Sequence, residues 1–162
     1  MYKRQAGDLK IGIKSAGYSL KVENKNGNSS NSIIPVNASA NYIADKLTKD
    51  LAGTGIQASA SNRVMLGPLS SDTNGLMSFK LRGNNFDPVT ISANVSQDDL
   101  SNLARVINQY STQTGINAFS TEDFDRIVLE SNVGYDIELT EISSPSDFKI
   151  YSLNQDLSLI HI

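Results

Sequence analysis

The hydrophobic periodicity of this chain switches between 2 and 3.6, and it does so twice in the same order. A period of 2 marks a strand with one buried face; a period of 3.6 marks a helix with one buried stripe. Leu9, Ile11 and Ile13 alternate with polar residues, as do Leu20 and Val22, so both stretches read as half-buried strands. Residues 24–31 form a polar loop in which Asn26-Gly27 is the strongest hairpin signal, and 32–36 is a short strand. Ser39 or Asn37 then caps a helix whose stripe is Ile43, Ala44, Leu47 and Leu51, closed by Gly53 and Gly55. Residues 56–60 and 63–66 are two more strands, followed by a break at Gly67-Pro68 and a polar loop through Asn74-Gly75.

The order then returns. Met77, Phe79 and Leu81 alternate, Gly83-Asn84-Asn85 turns, and Val89, Ile91 and Ala93 alternate again. The sequence Ser96-Gln97-Asp98-Asp99 places capping groups and negative charge at a helix start. That helix carries the stripe Leu100, Leu103, Ala104, Ile107 and Tyr110, and Gly115 stops it. Strands follow at 116–120, 126–131, 135–140 and 148–153.

Gly55-Ile56-Gln57-Ala58 matches Gly115-Ile116-Asn117-Ala118 at an offset of 60, as Ile43 and Leu47 match Leu103 and Ile107. Leu20-Lys21-Val22 matches Phe79-Lys80-Leu81 at 59, and Arg63–Leu66 matches Arg126–Leu129 at 63. The expectation is an α+β fold of tandem units of about 60 residues, each with one amphipathic helix packed on a small, mainly antiparallel sheet. The units are set at 6–77 and 78–156.

The remaining residues, 1–5 and 157–162, read differently. Leu157-Ser-Leu-Ile-His-Ile162 back-translates to CTG TCT CTT ATA CAC ATC, and Met1-Tyr-Lys-Arg-Gln5 to GTG TAT AAG AGA CAG with GTG as start codon. The two strings are reverse complements over most of their length and look like a transposase mosaic end ligated during library preparation. Both segments are therefore expected to stand outside the fold. Their removal takes basic residues from 14 to 12 against 17 acidic ones, a net charge of −5, and leaves no histidine.

These numbers exclude several function classes. With no Cys anywhere and no His in 6–156, disulfides, thiolate or imidazole metal sites, Cys nucleophiles and Ser-His-Asp catalysis are absent from this stretch. A net negative chain lacks the basic surface that nucleic acid requires, and no run of about 18 apolar residues exists to span a membrane. Ser, Thr and Asn together occupy 46 of 162 positions, which suits a soluble outer surface.

The pattern Ile107-Asn108, a short polar spacer, then Thr114-Gly115-Ile116-Asn117-Ala118, resembles the flagellin hook IN motif. Arg126-Ile-Val-Leu129-Glu-Ser131 and Gly134-Tyr-Asp136-Ile137 continue the likeness, which spans roughly 79–139. The first half keeps only Gly55-Ile56-Gln57-Ala58 and has Leu47-Thr48 where Ile-Asn is expected. The resemblance implies a part of a flagellar filament, a hook-associated or cap protein, or a tailed-phage virion protein.

The motif residues themselves (Ile107, Asn108, Gly115, Ile116 and Ala118, with Gly55, Ile56 and Ala58 in the first half) need no chemistry. Ile107 belongs to the buried stripe, Gly115 ends the helix, Ala118 lets helix and strand approach, and Asn108 either bonds the following loop or faces solvent. Glu122, Asp123 and Asp125 are the one dense carboxylate group but lack the spacing and glycine of a Ca²⁺ loop. Asp98-Asp99 are explained by capping. Tyr18, Tyr42, Tyr110, Tyr135 and Tyr151 are scattered singly. Asn28, Asn37 and Asn94 open glycosylation sequons that matter only in a eukaryote.

The expected role is therefore structural and non-enzymatic, with no cofactor. The partners are other subunits of one filament or virion, located in a virion or an extracellular flagellum. The absence of coiled-coil flagellin ends tilts the host toward the virion. The alternative is a glycan-binding adhesin or tail-fibre module, which would show an exposed aromatic-plus-carboxylate cleft at equivalent places in both units.

Overall fold

The computed structural model describes residues 9–11, 16–23, 29–70 and 74–153. The two terminal stretches read as adapter, and the Asn26-Gly27 turn, lie outside the described residues. Strands β1 (Leu9–Ile11), β2 (Ala16–Glu23) and β3 (Ser29–Val36) precede helix α1 (Ala40–Asp50). Next come β4 (Asn62–Leu69), β5 (Gly75–Arg82), β6 (Val89–Val95), helix α2 (Ser101–Gln109) and the one-turn α3 (Ser111–Thr114). Strands β7 (Asn117–Ser120), β8 (Ile127–Ser131), β9 (Ile137–Ser143) and β10 (Phe148–Ser152) follow.

All strand pairs are antiparallel. One sheet has the order β1-β9-β5-β6, a second β10-β4-β8-β7, and β2-β3 forms a separate hairpin. Period-2 alternation sends Met77, Phe79 and Leu81 of β5 and Ile91, Ala93 and Val95 of β6 into one core. Val64 and Leu66 of β4 and Ile127 and Leu129 of β8 enter it from the second sheet. Helix α2 adds Leu103, Ala104 and Ile107, all buried, and rests on β6 and β7, the last strand of each sheet. Burying each such Leu, Ile or Phe contributes about 1.5–3 kcal/mol, so one shared core carries the fold.

The outer faces of the two sheets differ. The first carries the ion pairs Arg82–Glu138 and Lys80–Glu141. On the second, register aligns Tyr151, Met65, Val128 and Phe119, one from each of β10, β4, β8 and β7, into an apolar row. The adjoining row holds the Arg63–Glu130 ion pair.

This architecture corrects the expected α+β fold of helix-on-sheet tandem units. The described residues are mainly β, and each large sheet mixes strands from both halves: β4 pairs with β8, and β1 with β9. The physical reason is that alternation shows which face of a strand is buried but not which strand lies beside it. Helix α1 also falls short of the expected stripe. It sits on β3 of the two-stranded hairpin, so Ala40, Ala44 and Leu51 are buried while Ile43 and Leu47 are only half-buried.

Two local expectations change as well. Residues 56–60 are not a strand, because among the described residues no neighbouring strand pairs with them. Gly67-Pro68 does not break the chain: β4 runs through it, with a cis peptide bond between the two. A side chain at Gly67 would place its Cβ 2.6 Å from the Asp125 carbonyl oxygen and 2.9 Å from Leu100 Cδ1, so only glycine admits this approach.

Candidate functional site

The residues from Ile107 to Ala118 form a compact helix-to-strand junction. Ile107 and Ile116 are fully buried and Ala118 nearly so, which fixes α2 against β7. Asn108 sits on the solvent side of α2, yet its amide group clamps the strand. Its Nδ2 donates to the Ala118 carbonyl at 2.8 Å, and its Oδ1 accepts from the Ala118 N–H at 2.8 Å. Ala118 lies in β7, whose other side is taken by β8, so Asn108 supplies the partners that a further strand would otherwise provide.

The turn between them is equally determined. Thr114, fully buried, donates from Oγ1 to the Tyr110 carbonyl at 3.0 Å and accepts from the Ile116 N–H at 3.2 Å. Gly115 closes α3 with φ of 68°, a left-handed conformation that ends helices at low steric cost only for glycine. Its missing side chain also matters, because a Cβ there would sit 3.2 Å from the Tyr135 ring.

The same hydrogen bonds recur in the first half. Thr48 Oγ1 donates to the Ala58 carbonyl at 3.2 Å and accepts from the Ala58 N–H at 3.1 Å. Thr54 Oγ1 donates to the Leu51 carbonyl at 2.7 Å and accepts from the Ile56 N–H at 3.3 Å, and Gly55 has φ of 80°. The environment differs, since Ile56 and Ala58 are half-buried and no strand among the described residues pairs with them. What repeats is a local clamp, not an independently packed unit. Thr48 stands where the motif has asparagine, yet its hydroxyl both donates and accepts, as the Asn108 amide group does.

The carboxylates singled out earlier are engaged locally. Asp99 Oδ1 accepts from the Ser101 N–H at 2.8 Å at the start of α2, and hydrogen bonds from the Ser101 side chain and then its backbone hold that carboxyl below its usual range. Leu100, not Asp99, is the N-cap, and it makes no side-chain capping bond. Asp125 pairs with Arg126 at 3.1 Å, while Glu122 and Asp123 stay exposed in the turn before β8. Glu130 is buried and ion-paired with Arg63.

Residues 77–133 match the family model of the flagellin hook IN motif. No curated protein matches the chain. The matched span runs from β5 to just past β8 and contains the Asn108 clamp, whereas Gly55, Ile56 and Ala58 lie outside it. The match supports a structural flagellar or hook-associated role, with an extracellular place and contact with other subunits. No helix among the described residues is long and apolar enough to cross a membrane.

Proposed function

We propose that this chain is a non-catalytic structural segment of an extracellular flagellar filament or hook assembly, lying on its surface and touching neighbouring subunits. The observation that carries the reading is the Asn108–Ala118 clamp inside the matched span, in which the motif's asparagine holds a helix to a strand. Of the carboxylates singled out from the sequence, Asp99 accepts from the Ser101 N–H, Asp125 is ion-paired with Arg126, and Glu122 and Asp123 are solvated. Catalysis without His or Cys would need such groups strongly shifted by burial or like charge. Between the two hosts weighed from sequence, the flagellar one is preferred over the virion, because the motif that matches is the flagellin one.

Mass spectrometry of sheared, purified filaments from the source cells tests this. Peptides from 6–156 should appear at many copies per filament, and antibody against the segment should decorate intact filaments. Recovery only from cytosol, or only from virions, would overturn the proposal.

A further inference from the structure

We infer that the cleft between the turn at 83–87 and the loop at 134–138 is a binding site for a neutral saccharide. The cleft has a volume of about 370 Å³ and is lined by Arg82, Asn84, Phe86, Tyr135, Asp136 and Glu138, among others. That volume falls within the roughly 300–1,000 Å³ of small-ligand sites.

Phe86 carries the inference. It is 91% exposed, yet it stands on a turn that is held from several sides. Gly83 N–H donates to Asn85 Oδ1 at 2.8 Å, Asn85 Nδ2 donates to the Asp87 carbonyl at 2.7 Å, and Asn84 N–H donates to the Thr114 carbonyl at 2.7 Å. A Cβ on Gly83 would collide with the Thr114 carbonyl oxygen, so the turn seats directly on the end of α3. An aromatic ring exposed on a fixed turn loses little freedom when a ligand stacks on it. Tyr135, which also lines the cleft, has its ring beside Gly115.

The polar groups select the ligand class. The floor holds the Arg82–Glu138 pair, with Arg82 Nε donating to Glu138 Oε2 at 2.8 Å, and Asp136 adds a further carboxylate. One guanidinium against two carboxylates disfavours anions such as phosphate. Among the described residues no three His, Cys, Asp or Glu side chains group to hold a metal ion. Asn84 and Tyr135 bring an amide and a phenol to the lining of the cleft. An aromatic face for the C–H side of a pyranose, next to amide, phenol and carboxylate groups for its hydroxyls, is the chemistry a neutral sugar requires. The site is separate from the Asn108 clamp and does not depend on the filament reading.

The test is heteronuclear NMR titration of the full chain with maltotriose, lactose and triacetylchitotriose. At least one should give saturable amide shifts confined to 82–87 and 134–138. Phe86→Ala should bind that sugar about tenfold more weakly with an unchanged unfolding midpoint, while Phe86→Tyr, which keeps the ring, should bind as the parent does. No saturable shift with any of the three, shifts centred elsewhere, or undiminished binding by Phe86→Ala would overturn the inference.

Discussion

Replacing Asn108 isolates the clamp from the core, because the side chain projects from the exposed side of α2 while serving the nearly buried Ala118. Asn108→Ala removes two hydrogen bonds of 2.8 Å. At a net value near 1 kcal/mol each, their loss destabilises by about 2 kcal/mol. Water can reach the vacated position, so the larger penalty of a fully buried unpaired group does not apply. Alanine is the better helix former by roughly 0.5 kcal/mol, which leaves a net loss of about 1.5 kcal/mol, or about 4 °C in midpoint. Asn108→Thr should stay within about 0.5 kcal/mol of the parent, because Thr48 already makes both bonds to Ala58 with one hydroxyl. Asn108→Asp accepts from the Ala118 N–H but, when ionised, sets a carboxylate against the Ala118 carbonyl. Its protonated form can donate, so the folded pKa of that carboxyl is raised and the deficit of this variant should narrow as pH falls through the carboxyl range. Urea unfolding followed by circular dichroism reads all three. A loss under about 0.5 kcal/mol for Asn108→Ala, or a threonine variant as weak as the alanine one, would refute the clamp.

Leu103→Ala and Ile107→Ala should each cost about 2–5 kcal/mol by the same assay, since both side chains are fully buried beneath α2 and would leave cavities. Gly115→Ala should cost about 1–3 kcal/mol through its φ of 68° and the Tyr135 ring, and calorimetry would show it as a lowered midpoint. The Asp50 carboxyl is held below its usual range by hydrogen bonds from Lys46 and then Ser32, so it is ionised more readily in the folded chain. Its contribution is present above the unfolded carboxyl pKa of about 4 and is lost as pH falls through and below it, and Asp50→Asn should flatten that part of the midpoint-against-pH curve.

Burial was legible wherever one side of an element met the core. The alternations at 77–81 and 89–93 and the α2 stripe point inward as periodicity requires. Pairing was not legible, because β4 beside β8 joins residues more than 60 positions apart and neither strand's pattern names its neighbour. The α1 stripe was read too generously: apolar spacing shows what a helix can bury, and a two-stranded hairpin offers too little surface to bury Ile43 and Leu47 fully. Gly115 lies at the end of α3 and Ala118 in β7, as the sequence suggests, whereas Ile116 falls one residue before the strand expected to begin with it. Thr48 was passed over because the comparison asked for asparagine, where the physical requirement is any short side chain that can donate and accept at once. Phe86 gave no sign of its setting, since exposure on a braced turn depends on contacts with Thr114 far along the chain.

Helix α2 reaches both terminal strands at which the sheets meet it. Asn108 bonds β7, and Asn102 Nδ2 donates to the Asn94 carbonyl of β6 at 3.1 Å. The far ends of the sheets are β1 and β10, described over three and five residues. One helix thus covers the edge of each large sheet at which it packs, while the eight-residue strands β2 and β3 of the separate hairpin pair only with each other among the described residues. A variant that loosens α2 without unfolding the sheets should therefore fail by aggregating into strand-paired oligomers at high concentration. For a protein whose proposed task is to pack beside many copies of itself, that helix limits strand addition at β6 and β7, the ends of its two large sheets.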